Sequence, residues 1–205
     1  MAKRKQHEEE TLRFIELNKP YLFVVDMING FIKEGALADS TIFPISKPIE
    51  ALVQRLKDRT LFICDSHSAD AVEFRSYPPH CIEKSHEAEV IDELLAYKQD
   101  VVYKNSTNTF MAPSFQKRLP DILATSQDLI ITGCCTDLCI LQFALSLRSY
   151  LNEMDLKEHR IIIPEDCVDT YHIEGVHDAN FWNEAAIQNM KQNGIEVVRS
   201  IEVKQ

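Results

Sequence analysis

Four apolar runs in this chain each end on a residue able to do chemistry. YLFVVD ends at Asp26, TLFICD at Asp65 and DVVYK at Lys104, while DLIITG opens into CCTDLC, which carries Cys139. Cys139 lies near the start of a helical pattern. Backbone N–H groups there lack intrahelical partners and the helix end is partially positive, which favours a thiolate and can hold an oxyanion. Thr136 or Asp137 is placed to cap that helix. Asp26 has the chemistry of a general base and then a general acid, and Lys104 that of a fixed charge beside the thiol. Each also has an ordinary role. A free cysteine is commonly just buried, a strand-end acid commonly caps a loop, and an edge lysine snorkels to solvent. Their joint placement at strand ends points to a cysteine nucleophile site.

The second run carries other chemistry. In CDSHSADAVEFRSYPPHC, Asp65, His67 and His80 supply a carboxylate and two imidazoles, a set that holds a divalent transition metal and leaves positions open. Glu73 is a further oxygen, direct or through water. A polar surface loop with two ordinary histidines would read the same way. Zinc held by Cys134, Cys135 and Cys139 fits less well, because adjacent cysteines do not match the usual ligand spacing. His7, His86, His159, His172 and His177 read as surface or packing residues, with His172 the one nearest the crevice.

These residues need elements that bring them together. The pattern predicts strands at Tyr21 to Val25, Thr60 to Cys64, Val101 to Tyr103, Leu129 to Thr132, RIIIP and IEVVRSIEV. Between them, PIEALVQRLKD, SHEAEVIDELLAY, the stretch Ser114 to Ala124, the run from Asp137, and ANFWNEAAIQNMKQNG have helical spacing. EEETLRFIEL, within a charged lead-in over residues 1–19, reads as a short amphipathic helix. Such alternation calls for a three-layer α/β/α, Rossmann-like domain with a mostly parallel six-stranded sheet, spanning residues 1–205. Strand carboxyl ends share one edge of such a sheet, and ligands bind there. GxGxxG and Walker A loops are absent and the chain has only five glycines, which disfavours phosphate cradling.

Composition bounds the rest. A chain of 205 residues, 45% hydrophobic and 26% charged, suits one soluble domain. The net charge of −10 argues against a general nucleic-acid binder. No apolar run has membrane-spanning length and MAKRKQHEEETLRF has no apolar signal region, so a cytoplasmic location is expected. In that compartment the six cysteines are expected as free thiols, Cys64 as a small core residue.

Taken together, VVDMINGF, DSHSADAVEFRSYPPHC, VYKNSTNTF and ITGCCTDLCI resemble the isochorismatase-like cysteine hydrolases, most closely the nicotinamidases (pyrazinamidases), from about Tyr21 onward. The resemblance implies a catalytic triad of Asp26, Lys104 and Cys139, and an oxyanion hole from the N–H groups of Cys135 and Cys139. It implies a cis peptide between Cys134 and Cys135, and substrate contacts from Phe31, Tyr77 and Cys134. It also implies metal ligands at Asp65, His67 and His80 with Glu73 nearby, the metal being zinc, or else iron or manganese. The implied reaction converts nicotinamide to nicotinate and ammonia through a cysteine thioester, a step of pyridine-nucleotide salvage toward NAD. EKSHEAE replaces the usual glycine-containing segment, and STNTF departs from the usual lysine loop. The alternatives are another isochorismatase-like cysteine hydrolase acting on a different small amide or carbamoyl compound, and a catalytically silent scaffold. A homo-oligomer is compatible with the apolar residues of the lead-in and helices.

Overall fold

The computed structural model describes residues 11–203. Strands are β1 (Thr11–Arg13), β2 (Tyr21–Val25), β3 (Thr60–Asp65), β4 (Val101–Lys104), β5 (Asp128–Cys134), β6 (Arg160–Pro164), β7 (Val168–Asp169), β8 (Glu196–Val198) and β9 (Ser200–Glu202). The α-helices are α1 (Asn29–Ile32), α2 (Ser46–Arg55), α3 (Asp92–Leu95), α4 (Pro113–Thr125), α5 (Leu141–Glu153) and α6 (Ala179–Gln192).

Side-chain alternation sets the layers. Leu22, Val24, Phe62, Cys64, Ile130 and Ile162 join one buried cluster, with Ile49, Leu52 and Val53 of α2. Their strand neighbours Phe23, Val25, Leu61, Ile63, Leu129, Ile131, Ile161 and Ile163 join another, with Phe115 of α4, Phe143 and Leu147 of α5 and Met190 of α6. Successive strand residues face opposite sides, so a sheet covered on both faces needs strands that are apolar throughout. That requirement is why these runs read as continuous in the sequence.

The main sheet is parallel, in the order β4-β3-β2-β5-β6-β8, with β7 added beside the end of β5. The chain winds outward from β2 to β4, then returns to the other side of β2 and winds outward again. The reversal lies between β2 and β5. The loops leaving their carboxyl ends therefore run to opposite faces of the sheet, with Asp26 on one side and the turn carrying Cys139 on the other.

Three expectations change. The sheet has seven strands, not six, because the short β7 pairs Gly133 and Cys134 with Val168 and Asp169. IEVVRSIEV breaks at Arg199, and β9 leaves the main sheet to pair in parallel with β1. The described part of the lead-in is thus a strand and a 3-10 turn, not a helix; pairing with an open edge satisfies N–H groups that so short a helix would leave free. Its earlier residues, 1–10, lie outside the described ones. SHEAEVIDELLAY keeps a 3-10 turn at His86–Ala88 and the short α3 in place of one helix. Asn29 N–H donates to Glu89 O at 2.9 Å and Ile91 N–H to Met27 O at 3.1 Å, so the middle of this segment extends to brace the chain leaving Asp26.

Gly133 makes the β2–β5 approach sterically allowed. Its φ is +113°, and a Cβ there would lie 1.8 Å from the carbonyl oxygen of Val25. Gly133→Ala is expected to destabilise the fold by about 3 kcal/mol or more, from left-handed strain plus the clash with backbone. Urea unfolding measures this, and a loss below about 0.5 kcal/mol, the size of an ordinary surface substitution, would contradict the geometry.

Candidate active site

Asp26 leaves β2 with φ +54°, a left-handed conformation uncommon outside glycine. Two bonds to β3 hold it there. Its N–H donates to Ile63 O at 2.8 Å, and Asp65 N–H donates to its Oδ1 at 2.9 Å. The Cys134 thiol, fully buried, lies 3.2 Å from the Asp26 carbonyl and braces it from β5. Lys104 pairs in register with Asp65. Although β4 is an edge strand, this lysine does not snorkel: it is 2% exposed and turns inward. Its Nζ lies 2.8 Å from Asp26 Oδ2, contacts Asp65 Oδ1 directly, and sits 3.8 Å from Cys139 Sγ. A carboxylate oxygen of Asp26, one of Asp65 and the Cys139 sulfur all lie within 4.8 Å of one another. The four residues singled out at the ends of the apolar runs meet in one buried cluster.

Burial and charge divide their protonation. Burial pushes the Asp26 carboxyl up to about 7 against the pull of Lys104, with the like charge of Asp65 adding to the rise. Burial acts on Asp65 too, but Lys104 and His67 outweigh it and hold that carboxyl below its usual range. Burial would lower the Lys104 ammonium; the two acids outweigh it and keep it protonated. One cation between two acids thus leaves Asp65 ionised and Asp26 as the group that gains or loses a proton near neutrality. Asp26 Oδ2 makes its ion contact without a well-aligned hydrogen bond, so this oxygen is free to accept one. Burial pushes the Cys139 thiol up as well, against Lys104. The helix end and Lys104 favour the thiolate, but the cation is already shared by two carboxylates and burial favours the protonated thiol.

Cys139 lies within a single π-helical turn, Thr136–Ile140, that runs into α5. Such turns are rare and concentrate at functional sites. Cys135 is the N-cap and no side chain caps it, so neither Thr136 nor Asp137 plays that part. Instead, the Cys135 carbonyl accepts from Leu138 and Ile140 N–H, both at 3.1 Å. The peptide between Cys134 and Cys135 is cis.

Beside this cluster lies the metal set. Asp65, His67 and His80 each place a ligand atom within 4.8 Å of the other two. The loop closes the long sequence gap because His67 pairs with Ile82: His67 N–H donates to Cys81 O, and Glu83 N–H donates to His67 O. His67 Nδ1 faces Asn105 Oδ1 at 3.2 Å, and His80 Nδ1 faces Pro78 O at 2.8 Å. Both acceptors fix the proton on Nδ1 and leave Nε2 as the lone-pair donor. His67 Nε2 is buried with no hydrogen-bond partner, and Asp65 Oδ2 lies 3.5 Å away. A mixed nitrogen and oxygen set with an orphaned imidazole nitrogen fits a divalent transition metal. Glu73 stands apart from the three: its Oε1 accepts from the Thr107 hydroxyl at 2.8 Å and its Oε2 from Thr107 N–H at 3.2 Å.

Phe31 and Tyr77 flank His80, with ring centroids 5.6 and 6.3 Å away. Phe74, which the sequence did not single out, packs edge-on against both His67 and His80. Asn105 was also missed; its position directly after Lys104 at a strand end was the available signal. His172 is exposed, and its N–H donates to Asp39 at 2.9 Å. His177, read as a surface or packing residue, is the buried one, and it pairs with Asp137 at 2.9 Å. All six cysteines are buried and free.

The isochorismatase domain, as a family of sequences, matches residues 20–202. A protein of Arabidopsis thaliana named nicotinamidase 1 is 30% identical over 182 residues, covering 80% of this chain and 72% of that one. Three solved structures are similar in fold. A nicotinamidase from Bacillus subtilis has a TM-score of 0.72 at 24% identity, covering 88% of this chain and 99% of its own. An N-carbamoylsarcosine amidase from Thermoplasma acidophilum has 0.68 at 24%, covering 92% and 100%. A pyrazinamidase of Pyrococcus horikoshii in complex with zinc has 0.67 at 21%, covering 89% and 99%. No helix among the described residues is long and apolar enough to cross a membrane.

The donor set makes a prediction independent of any reaction. Purified protein titrated with zinc should bind about one ion, His67→Ala and His80→Ala should lose it, and Asn105→Ala should weaken it roughly 10- to 100-fold. Undiminished zinc affinity in the two histidine variants, measured by competition with a chromophoric chelator, would remove the metal centre.

Proposed function

The chain belongs to the isochorismatase-like hydrolase family, and on that premise we propose that it is a nicotinamidase-type amidohydrolase, converting nicotinamide to nicotinate and ammonia through a thioester on Cys139. The observation that carries this reading is the convergence of Asp26, Lys104 and Cys139 beside Asp65, His67 and His80.

The steps follow from the charges. Cys139 rests as a thiol, so its proton must leave as the sulfur attacks the amide carbon. Asp26 takes it, being buried, close to the sulfur and already near the protonation balance that suits a general base. Lys104 stays charged throughout and holds Asp26 in place. The tetrahedral oxyanion is held by the N–H groups of Cys135, the N-cap of the π turn, and of Cys139 within it, a contribution of about 3–4 kcal/mol per donor in comparable sites. Asp26 then returns the proton to the departing ammonia. A water molecule, deprotonated by Asp26, hydrolyses the thioester and restores the thiol. A divalent metal, zinc or else iron or manganese, held by Asp65, His67 and His80, would supply a Lewis-acid anchor for a ring nitrogen of the substrate. Phe31, Phe74 and Tyr77 surround that set and suit a flat ring, with Cys134 bracing the floor. Glu73 would act through Thr107 or through water. The product would enter pyridine-nucleotide salvage in the cytoplasm.

A second reading keeps the nucleophile and replaces the ring amide with a carbamoyl compound. The fold likeness to an N-carbamoylsarcosine amidase favours keeping it in view. The histidine pair with its tied Nδ1 atoms favours the ring substrate, since a carbamoyl group offers no ring nitrogen to anchor.

Ammonia release over a panel of nicotinamide, pyrazinamide, N-carbamoyl amino acids and simple aliphatic amides separates the two. Nicotinamide and pyrazinamide should be turned over, and Cys139→Ala should lose at least about 10⁴-fold in kcat while keeping its fold, the size of loss seen when a covalent nucleophile is removed. Turnover of carbamoyl compounds alone selects the second reading, and an active Cys139→Ala ends both.

A further inference from the structure

His177 is the one buried residue in an otherwise exposed loop, residues 172–178. It is held on every side. Its ring stacks on Tyr171 at 3.9 Å and 16°, and on Trp182 of α6 at 5.4 Å and 13°. Its Nδ1 lies 2.8 Å from the Tyr171 carbonyl, and its Nε2 lies 2.9 Å from Asp137 Oδ2. The other oxygen of Asp137 accepts from the Thr170 hydroxyl. Backbone bonds between Ile173 and His177, in both directions, close the loop into a tight turn.

Protons follow from those acceptors. A carbonyl cannot donate, so Nδ1 carries a hydrogen. A contact of 2.9 Å between Nε2 and a carboxylate oxygen needs a second proton, on the ring or on the acid. In both placements the pair is neutral as a unit, and Asp137 presents no uncompensated charge. That matters because Asp137 lies two residues before Cys139 in the same π turn. An unpaired carboxylate there would oppose both the thiolate and the oxyanion. Burial pushes the phenols of Tyr77 and Tyr171 up, and nearby acidic groups that include Asp137 add to the rise.

We propose that His177 is a positioning residue for the nucleophile: it neutralises Asp137 at the start of the turn carrying Cys139 and ties the Tyr171–Asp178 segment to that turn. The inference rests on Cys139 being the reactive thiol and not on the identity of the amide. Removing the imidazole exposes the Asp137 charge to a buried thiol, and removing that charge as well should undo the damage. A residue needed only for packing would show no such reversal.

The test measures the rate of Cys139 alkylation by iodoacetamide, located by peptide mass, with kcat and KM for nicotinamide where turnover is seen. His177→Gln should slow alkylation about tenfold, as expected for roughly one unit of rise in thiol pKa. kcat should fall in parallel with little change in KM. Adding Asp137→Asn to His177→Gln should restore alkylation to within about threefold of wild type. His177→Phe, which keeps the stack on Tyr171 and Trp182, should behave as His177→Gln does and covers the case in which Gln unfolds the loop. A double variant as slow as the single one, or single variants that alkylate at the wild-type rate, would overturn the proposal. If nicotinamide is not a substrate, the alkylation rates still decide this question.

Discussion

One ammonium between two carboxylates organises this site. Lys104 is buried, and it contacts both Asp26 and Asp65. Taking three ionised groups out of water is costly, and deleting one member of such a cluster typically costs about 3–5 kcal/mol because its partners stay buried and unpaired. Without Lys104 the two acids at adjacent strand ends would repel each other inside a dry cleft. With it, one cation cannot fully satisfy both. Asp65, which also faces His67, keeps its charge, and Asp26 holds the more mobile proton. The same asymmetry separates acid and base roles in other pairs of neighbouring carboxylates.

Asp65 therefore belongs to two assemblies. Oδ1 meets the lysine that neighbours Cys139, and Oδ2 faces the two imidazoles. Any cation on the histidine side draws on the same carboxylate that steadies Lys104, so the Asp65–His67–His80 group and the Asp26–Lys104–Cys139 group share one electrostatic system. The parallel sheet makes this economical. Register places Asp65 beside Lys104, and the reversal of winding places Asp26 opposite the π turn. The fold reaches a dense cluster of charge by ending four buried strands at one edge, with Gly133 allowing β2 and β5 to approach closely enough.

Much of this could be read from the chain, for an identifiable reason. Strands buried on both faces are apolar throughout, so their ends are sharp, and the residues Asp26, Asp65 and Lys104 stand out as charges at those ends. Asp65, His67 and His80 were legible as a set of metal-ligating residue types, although the contact of Asp65 with Lys104 depends on strand register, which hydrophobicity does not encode. What was missed depends on long-range pairing. β9 leaves the sheet for β1, nearly the whole chain away, and three-residue strands have no distinctive period. The SHEAEV segment has helical spacing, yet Glu89 and Ile91 are held extended by the chain behind Asp26. Asn105 and Phe74 act on the histidines only once a loop has folded back. His177 meets Asp137 across 40 positions, from a loop whose sequence otherwise reads as exposed.

The most direct check of the central claim is to catch the covalent intermediate. Enzyme mixed with nicotinamide, quenched in acid within the first turnover and digested, should carry a nicotinoyl group on the peptide containing Cys139, labile to hydroxylamine as a thioester is. Ammonia released during that turnover with the Cys139 peptide unmodified, or with the acyl group on Cys134 or Cys135 instead, would contradict the account.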